Sequence, residues 1–315
     1  MIAAVLHAAA GTPRAEAFPD PEPAPNEVVA RVLAAGLQPL VRVHANGSHY
    51  TSTGVYPLVP GVDGVAELPD GRRAYVGFVR PPHGTFAERV AIDPTTAIPL
   101  PAGLAPAQAA GLVNPAMSSW LALHVRAHLR AGEHVAILGA TGASGQLAVQ
   151  VARALGAGRV VAAGRNADIL GRLGADAVLR TDAPGFADDF GREAALGVDV
   201  VLDYLWGPVA EAALGAILAN RKALAGRPIR YVNIGESAGA RASLSPHVLR
   251  SMDVTMLGSG IGSVSIPHMR AEIPSLLDRA ARGELTLAIR EVPLAQVGDV
   301  WTTSTDAGAR VVIVP

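Results

Sequence analysis

Apolar positions in the N-terminal third of the chain come in short runs that proline and glycine interrupt. This pattern is typical of β-strands joined by tight turns. Runs of this kind occupy residues 27–33, 61–66 and 73–78. We therefore predict that residues 1–115 fold into a compact β-rich domain.

The pattern changes after Pro115, where a helical stretch runs from Ser118 to about Arg130. Apolar strands and helices then alternate, which is typical of βαβ units and a mostly parallel, doubly wound α/β sheet. Strands are predicted at 135–138, 159–163, 177–179, 198–202, 229–234 and 254–257, and helices at 146–155, 167–173 and 209–218. We expect residues 116–289 to form this domain and residues 290–315 to return to the β-rich domain.

A glycine-rich turn joins the first of these strands to the helix that follows it. Gly139, Gly142 and Gly145 recur at every third position. Small residues let the backbone turn sharply and approach a pyrophosphate, and the free N–H groups of the next helix bind its charge. Strand, turn and helix in this order predict a Rossmann dinucleotide-binding domain. The predicted cofactor contacts in the turn are Gly139, Ala140, Thr141, Gly142, Ala143, Ser144 and Gly145.

The end of the second strand predicts which dinucleotide binds. Arg165 and Asn166 follow that strand, and Arg165 lies twenty residues beyond Gly145. An acidic residue here would bond the adenine ribose of NAD, whereas arginine pairs with the 2′-phosphate of NADP. The nearest acid, Asp168, is predicted to begin the next helix. We therefore expect NADPH, held in part by Arg165 and Asn166; the alternative is a solvated arginine after a strand.

Two later strand ends are further candidates for cofactor contact, because ligands bind outside the carboxyl ends of parallel strands. The first comprises residues 203–207. The second comprises residues 233–236, with Asn233, Ile234 and Gly235, where the glycine would let the backbone pass close to the nicotinamide. Ser259 and Gly260, after the next predicted strand, would close the other side. Each segment could equally be an ordinary loop.

The composition of the chain argues against several classes of protein and of binding site. A formal net charge of −1 over 315 residues gives no electrostatic reason to expect binding to nucleic acid or to an anionic membrane. The chain has no cysteine, which excludes disulfides, thiolate zinc sites and a cysteine nucleophile. Every apolar run ends before it could cross a bilayer. The apolar start lacks a basic flank, so we predict a β-strand there rather than a signal peptide, and a soluble cytoplasmic protein.

Five further segments match the motifs of one family. Residues 25–32 are similar to its P-x-E-V-x-V-x-V strand, residues 59–65 to its P-G-x-E/D-x-x-G segment and residues 83–88 to its G-x-[FY]-A-E run. Residues 118–120 and 293–312 are similar to its T-A-[YW] motif and its C-terminal segment. Together they resemble the medium-chain dehydrogenase/reductase superfamily, and specifically its zinc-independent quinone oxidoreductase-like branch. The resemblance implies a Rossmann domain and a β-rich, GroES-like catalytic domain.

The chain departs from the zinc alcohol dehydrogenases of that superfamily. They have a Cys-His pair after the third strand and G-H-E further on, where this chain has Gln-Pro at 38–39 and Gly-Val-Asp at 61–63. Valine cannot ligate zinc, and glutamine is a poor ligand. His44 and His49 have no evident third partner. We therefore expect no metal ion.

The resemblance also implies candidate active-site residues. A tyrosine that lines the substrate cleft of related quinone reductases is similar in position to Tyr50, with Tyr56 as the alternative, and either could instead be a packing residue. Ser118 replaces the family's threonine near the nicotinamide. Gln38 and Asn114 are candidate polar groups around the carboxamide or the substrate.

These observations predict a zinc-independent, NADPH-dependent oxidoreductase that transfers hydride to a quinone or an α,β-unsaturated carbonyl compound. Conjugation spreads the developing charge onto oxygen, where a hydroxyl or water can stabilise it. Two alternatives stay open: a metal-free carbonyl reductase, and a non-catalytic protein that binds or senses NADPH. The resemblance further implies a homodimer formed through the strand near residues 254–257.

Overall fold

The computed structural model describes residues 1–49, 51–77, 79–302 and 309–315. Its strands are β1 (Ile2–Val5), β2 (Arg14–Ala17), β3 (Val28–Gly36), β4 (Asp63–Glu67), β5 (Arg73–Gly77), β6 (Arg89–Ile92), β7 (Ile98–Pro99), β8 (His134–Leu138), β9 (Arg159–Gly164), β10 (Ala177–Arg180), β11 (Val200–Asp203), β12 (Ile229–Asn233), β13 (Val254–Gly258), β14 (Ala288–Pro293) and β15 (Ala309–Val314). Its α-helices are α1 (Pro39–Ala45), α2 (Pro106–Trp120), α3 (Ala143–Ala154), α4 (Ala167–Leu170), α5 (Phe186–Ala195), α6 (Gly207–Ala219), α7 (His247–Arg250), α8 (Ile266–Ala281) and α9 (Val297–Trp301). Within the described ranges, no helix combines the length and the apolar composition that crossing a membrane requires.

The chain divides into two compact units, unit 1 with residues 1–115 and 273–315 and unit 2 with residues 116–272. Unit 1 contains a sheet in the order β14-β15-β3-β4-β5-β7, and β6 pairs with the first half of β3. All of these pairs are antiparallel except β14 with β15. Within β3, Ala30 and Val32 are buried whereas Arg31 is exposed, as expected for a strand with one face on the core.

Unit 2 contains six parallel strands in the order β10-β9-β8-β11-β12-β13. The chain moves outward from β8 to β10 and then returns to the other side of β8 with β11. Such a reversal is the switch point at which ligands bind in α/β sheets. All four residues of β11 are buried, as expected for a central strand covered on both faces. The predicted doubly wound parallel sheet is thereby confirmed.

Helix α2 begins earlier than the sequence predicted. The expected start was Ser118, because proline normally ends a helix, but α2 starts at Pro106 and passes through Pro115. A proline removes only its own N–H donor, so a packed helix can lose one hydrogen bond and continue. After Trp120 the backbone continues as a π-helix over Leu121–Arg126.

Helix α8 was not predicted, and the division between the two units falls inside it, after Glu272. Like α2, it contains a proline, Pro274. The sequence interpretation extended the nucleotide-binding domain to residue 289. Those domain bounds stay a prediction.

Candidate functional site

The glycine-rich turn lies between β8 and α3, at the carboxyl ends of the parallel strands. Gly139 has a φ of +94°, a conformation that residues with side chains rarely adopt, and it turns the chain directly after β8. An added Cβ at Gly145 would lie 2.2 Å from the carbonyl oxygen of Gly139. Only glycine therefore lets the first turn of α3 pack against the loop.

The N-terminus of α3 presents backbone donors without partners. The N–H groups of Ala143, Ser144 and Gly145 have no acceptor among the described residues, and Gly142 at the N-cap has no side chain to supply one. An added Cβ at Gly142 would meet only the Gly139 carbonyl oxygen, at 3.7 Å, so no other atom crowds this position. Three free donors at the positive end of a helix dipole fit the pyrophosphate of a dinucleotide, and we call residues 139–145 the cradle.

The two remaining residues of the turn hold it against β9. Ala140 is buried, and its N–H group donates to the carbonyl of Ala163 at 2.8 Å. Thr141 packs on the end of β9, because a Cβ at Gly164 would lie 2.5 Å from the Thr141 Cγ2 atom. Their direct contact with a cofactor stays a prediction.

Arg165 and Asn166 follow β9 and have different roles. The Asn166 Oδ1 atom accepts a hydrogen bond from the N–H group of Ile169 at 3.1 Å. This bond caps the N-terminus of α4, so the oxygen already has a partner. Asp168 lies in the first turn of α4, as predicted. Arg165 is exposed and has no hydrogen bond or ion pair within the described part of the chain. Its guanidinium is therefore available to an external anion.

The loops after β11 and β12 are joined through their backbones. The N–H groups of Ile234 and Gly235 donate to the Asp203 carbonyl at 2.7 and 3.2 Å. The side chain of Asn233 donates to the carbonyl of Gly235 at 2.9 Å. The predicted residues 233–235 thus form an ordered strand end next to that of β11.

The loop after β13 continues the same edge of the sheet. The N–H group of Ser259 donates to the carbonyl of Asn233 at 2.9 Å, and that of Gly260 donates to the Ser263 hydroxyl at 2.8 Å. Both predicted residues therefore lie at the carboxyl edge, although their N–H groups are already paired.

The Asp203 carboxylate, at the end of β11, accepts hydrogen bonds from the loop that follows and from β12. It accepts hydrogen bonds from the N–H groups of Leu205 and Trp206 at 2.8 and 2.9 Å, and from the Tyr231 hydroxyl at 2.8 Å. Burial raises the pKa of Asp203 above its ordinary value. Its partners are all internal, so its role is to hold the loop.

Ser118 forms a hydroxyl pair with Tyr204, which lies in the strand end 203–207 that the sequence placed near the cofactor. The two side-chain oxygens are 3.1 Å apart. Burial raises the pKa of Tyr204 to about 12, so this hydroxyl stays protonated near neutral pH. Tyr204 also lies beside the glycine turn, because an added Cβ at Gly139 would be 3.1 Å from its Cβ atom. The structure therefore brings Ser118 to the cradle side of the sheet.

In unit 1, a buried carboxylate occupies the segment in which zinc-dependent relatives have G-H-E. The Asp63 Oδ1 atom accepts from the Gln38 side-chain amide at 3.0 Å, and its Oδ2 atom accepts from the Asn114 amide at 2.8 Å. The Tyr75 hydroxyl also donates to this carboxylate. We call Gln38, Asp63, Tyr75, Asn114 and Arg310 the Asp63 network.

The electrostatics of the Asp63 network reflect its burial. Burial raises the pKa of Asp63 to about 6, although the hydrogen bonds and the positive charge of Arg310 oppose that shift. Arg310 is itself buried, which lowers its pKa to about 10. One guanidinium N–H group donates to the Leu37 carbonyl at 3.3 Å. Sequence reasoning missed Arg310, although a charged residue inside the apolar strand β15 was a signal.

The tyrosine candidates have different outcomes. Tyr50 lies outside the described residues, so its catalytic role stays a prediction. The partly buried Tyr56 donates its hydroxyl to the Ala45 carbonyl at 2.7 Å, so this hydroxyl already has an internal partner, and its alternative role stays a prediction.

The histidine candidates do not build a metal site within the described ranges. The rings of His44 and His49 are 6.1 Å apart. No three histidine, aspartate or glutamate side chains in the described part of the chain are arranged to hold a metal ion.

Comparison with known proteins assigns the family. No protein-family model matches the chain. A protein of Emericella nidulans named "Probable NADPH-dependent quinone reductase tdiC" is 32% identical to it, over 95% of each sequence. This chain belongs to the medium-chain dehydrogenase/reductase superfamily. Within it, the chain lies in the quinone oxidoreductase-like branch.

Two further relatives support the family assignment and the fold. The quinone oxidoreductase of Thermus thermophilus, solved also in complex with NADPH, is 31% identical and has a TM-score of 0.81 over 100% of both chains. A Mycobacterium tuberculosis "Mycocerosic acid synthase-like polyketide synthase" is 32% identical over 84% of this chain, which corresponds to 13% of that protein. The parallel Rossmann sheet and the separate antiparallel sheet are those of the medium-chain dehydrogenase/reductase fold, with its GroES-like domain.

Proposed function

We propose that this chain is an NADPH-dependent oxidoreductase that transfers hydride to a quinone or an α,β-unsaturated carbonyl compound without a metal ion. The observation that carries the proposal is the cradle of unit 2. Three N–H groups at the start of α3 have no acceptor among the described residues, and the exposed Arg165 at the end of β9 makes no hydrogen bond or ion pair within them. A pyrophosphate and a 2′-phosphate suit these two positions.

The relatives support the cofactor and the substrate class. The Emericella protein is named for NADPH and for quinone reduction, and the Thermus enzyme was solved with NADPH. The similarity to a segment of a polyketide synthase supports enoyl compounds as part of the substrate class. Both classes conjugate a carbonyl to the carbon that accepts the hydride.

The chain's own residues orient the reactants and hold charge. NADPH supplies the hydride when it is bound. The N-terminus of α3 would bind the pyrophosphate and Arg165 the 2′-phosphate, while the Ser118 and Tyr204 hydroxyls, paired with each other, lie beside the turn. Tyr50 is our candidate for the hydroxyl that stabilises the charge developing on the substrate oxygen. Orientation and exclusion of water would contribute most of the acceleration.

The donor set of unit 1 does not fit zinc. The NH2 groups of Gln38 and Asn114 both donate to Asp63, and an amide NH2 group is not a metal ligand. The histidine of the zinc-dependent motif is replaced by Val62, which has no ligand atom. This supports hydride transfer without a Lewis acid.

We also propose a cytoplasmic homodimer formed through β13. This strand is an edge of the six-stranded sheet, and none of its five residues is fully buried within the protomer. An unpaired edge can add the matching strand of a second copy. Size-exclusion chromatography with light scattering tests it, since a monomer at micromolar concentration would contradict the dimer.

Turnover measurements test the proposed function. We expect oxidation of NADPH with at least one member of a panel of quinones and enones, and a kcat/KM at least about tenfold lower with NADH. Tight NADPH binding without turnover on the whole panel would favour the sensing protein, and reduction of simple ketones would favour the carbonyl reductase.

Tyr50→Phe tests the candidate catalytic hydroxyl. We expect kcat to fall on the order of 10²-fold while the Kd for NADPH is unchanged. An unchanged kcat would remove Tyr50 from the mechanism and leave it a packing residue.

A further inference from the structure

The end of β10 places a second arginine beside Arg165. In the parallel pairing of β9 with β10, Arg180 is in register with Gly164, the residue before Arg165. The N–H group of Thr181 donates to the Gly164 carbonyl at 3.0 Å, which holds the two strand ends together. Adjacent strands lie about 4.8 Å apart. Two exposed arginines are therefore neighbours at the carboxyl edge of the parallel sheet.

Arg180 also lies on the face of the sheet that the cradle occupies. Leu179 and its partner in register, Ala163, both pack into the core on the opposite face. Successive side chains of a strand alternate between the two faces, so Gly164 and Arg180 face the other side. An added Cβ at Gly164 would lie 2.5 Å from the Thr141 side chain of the cradle. The Arg180 side chain therefore extends on the side of the sheet where the dinucleotide is expected.

An aspartate two residues further on binds the Arg180 guanidinium. The Nε and Nη2 atoms of Arg180 donate to the two carboxylate oxygens of Asp182 at 2.8 and 2.7 Å. Arginine binds phosphates with the same two-bond fork. The two side chains are 46% and 44% exposed, and exposed ion pairs of this kind contribute little to stability. Another anion can therefore replace this carboxylate at low cost.

The Asp182 carboxylate interacts with Arg165 as well. The hydrogen bonds from Arg180 lower the pKa of Asp182, and the positive charges of Arg180 and Arg165 lower it further. Asp182 thus marks a position at which one anion interacts with both guanidinium groups. A phosphate monoester has three terminal oxygens and a charge of about −1.5 to −2, so it suits two arginines better than one carboxylate does.

We propose that Arg180 is a second specificity-determining residue for the 2′-phosphate of NADPH, and that Asp182 is the internal carboxylate that this phosphate displaces. The proposal rests on the proposed function for its cofactor, since NADPH carries the 2′-phosphate. NADH has a hydroxyl at this position and would leave the pair of Arg180 and Asp182 intact. Asp182 therefore lowers the affinity for NADPH and leaves the affinity for NADH unchanged.

Binding of two adenine nucleotides measures this subsite without turnover. Adenosine 2′,5′-bisphosphate carries the 2′-phosphate, and adenosine 5′-monophosphate lacks it. Both are titrated into the whole chain by isothermal calorimetry. Because the adenine, the ribose and the 5′-phosphate are common to both, the ratio of the two Kd values reports the contribution of the 2′-phosphate.

Asp182→Asn removes the competing charge and keeps the shape of the side chain. We expect the Kd of the bisphosphate to fall by about three- to tenfold and that of the monophosphate to stay unchanged. Arg180→Ala should raise the Kd of the bisphosphate by about tenfold or more. Asp70→Asn is the matched control, because Asp70 forms an exposed pair of the same spacing with Arg72 in unit 1, and it should change neither Kd.

The double variant R180A/D182N separates two roles of Arg180, because Arg180→Ala alone also leaves the Asp182 charge without its counter-ion. If Arg180 binds the phosphate, the double variant should bind the bisphosphate at least about fivefold more weakly than D182N. A smaller difference would show that Arg180 only neutralises Asp182, and it would overturn the proposal.

Two further results would overturn the proposal: an unchanged ratio of the two Kd values in D182N, or an equal change for both nucleotides in R180A. Both positions are exposed, so the variants should fold; D182N decides the matter if R180A does not. A wild-type protein that binds the bisphosphate more tightly than the monophosphate but reduces no quinone or enone would refute the proposed function. The titrations would then still decide the role of Arg180.

Discussion

The two units hold their candidate sites by opposite physical means. In unit 2 the cradle consists of backbone, and its geometry depends on side-chain atoms being absent at Gly139 and Gly145. In unit 1 the Asp63 network consists of buried or partly buried side chains: Gln38, Tyr75 and Asn114 hydrogen-bond to Asp63, and Arg310 acts on it through its charge. An added side-chain atom would disrupt the cradle, whereas the loss of one hydrogen-bonding partner would disrupt the Asp63 network.

This difference also determines how each site responds to pH. Backbone N–H groups and a helix dipole do not titrate, so the cradle keeps its affinity for anions over a wide pH range. The Asp63 network contains a carboxylate whose pKa lies at about 6, so its charge changes close to neutrality. The contrast leads to four predictions.

The largest effect is expected where an atom is added to the cradle. In Gly145→Ala the new Cβ would lie 2.2 Å from a backbone oxygen, so the loop must move away from α3. We expect the free energy of unfolding to fall by ~3 kcal/mol and the affinity for NADPH to fall by about 100-fold or more. Urea unfolding and fluorescence titration measure the two losses.

Gly215→Ala is the matched control for the cradle variant. Gly215 lies on the exposed side of α6, and an added Cβ there would meet nothing within 4 Å. The same substitution should therefore stabilise the protein, by ~0.5–1 kcal/mol. Equal changes in the free energy of unfolding at the two positions would show that helix propensity, and not the close approach of the Gly139 carbonyl, determines the effect of Gly145→Ala.

The second prediction concerns the pH dependence of unit 1. Because burial raises the pKa of Asp63 from 3.8 to about 6, the folded protein binds this proton more tightly than the unfolded chain does. The stability contribution of Asp63 is therefore greatest below pH ~4 and falls as the pH rises through about 6, by about 3 kcal/mol in all. Urea unfolding of wild type and Asp63→Asn between about pH 4 and pH 7 measures it.

The difference in unfolding free energy between these two proteins isolates the Asp63 titration. Asp203, whose pKa is also raised by burial, titrates in both proteins and cancels in the difference. A difference that stays flat with pH would show that Asp63 is ionised in the folded protein at a pKa near that of the unfolded chain.

The third prediction concerns the charged side chain that the sequence placed at the cofactor site. Arg165→Ala should raise the KM for NADPH by one to two orders of magnitude, on the order of 1.4–2.7 kcal/mol, and leave the KM for NADH unchanged. Arg172→Ala, at another exposed arginine beyond β9, is the control. Equal losses for both coenzymes would contradict recognition of the 2′-phosphate.

The smallest effect is expected at Tyr56. Tyr56→Phe removes the hydrogen bond to the Ala45 carbonyl and should lower the free energy of unfolding by ~1 kcal/mol. The kcat should stay at the wild-type value, because this hydroxyl is already paired. A fall in kcat with unchanged stability would make Tyr56 the catalytic tyrosine in place of Tyr50.

Local patterns in the sequence were sufficient to predict the cradle. The glycine spacing, the strand before it and the helix after it are contiguous, so the conformation that each residue must adopt could be inferred without knowing any distant partner. The same holds for the alternation of strands and helices in unit 2. The predicted start of α2 was wrong because a proline inside a helix is tolerated only when tertiary packing holds the helix together.

The sequence by itself thus determined the fold class, the family and the backbone site, since these depend on interactions between near neighbours along the chain. The Asp63 network was decided by tertiary structure. Its members come from the N-cap of α1 and from β4, β5, α2 and β15, and the bond from Arg310 to the Leu37 carbonyl joins residues 273 positions apart. A buried charge is stable only beside its partners, and only the folded chain brings those partners together.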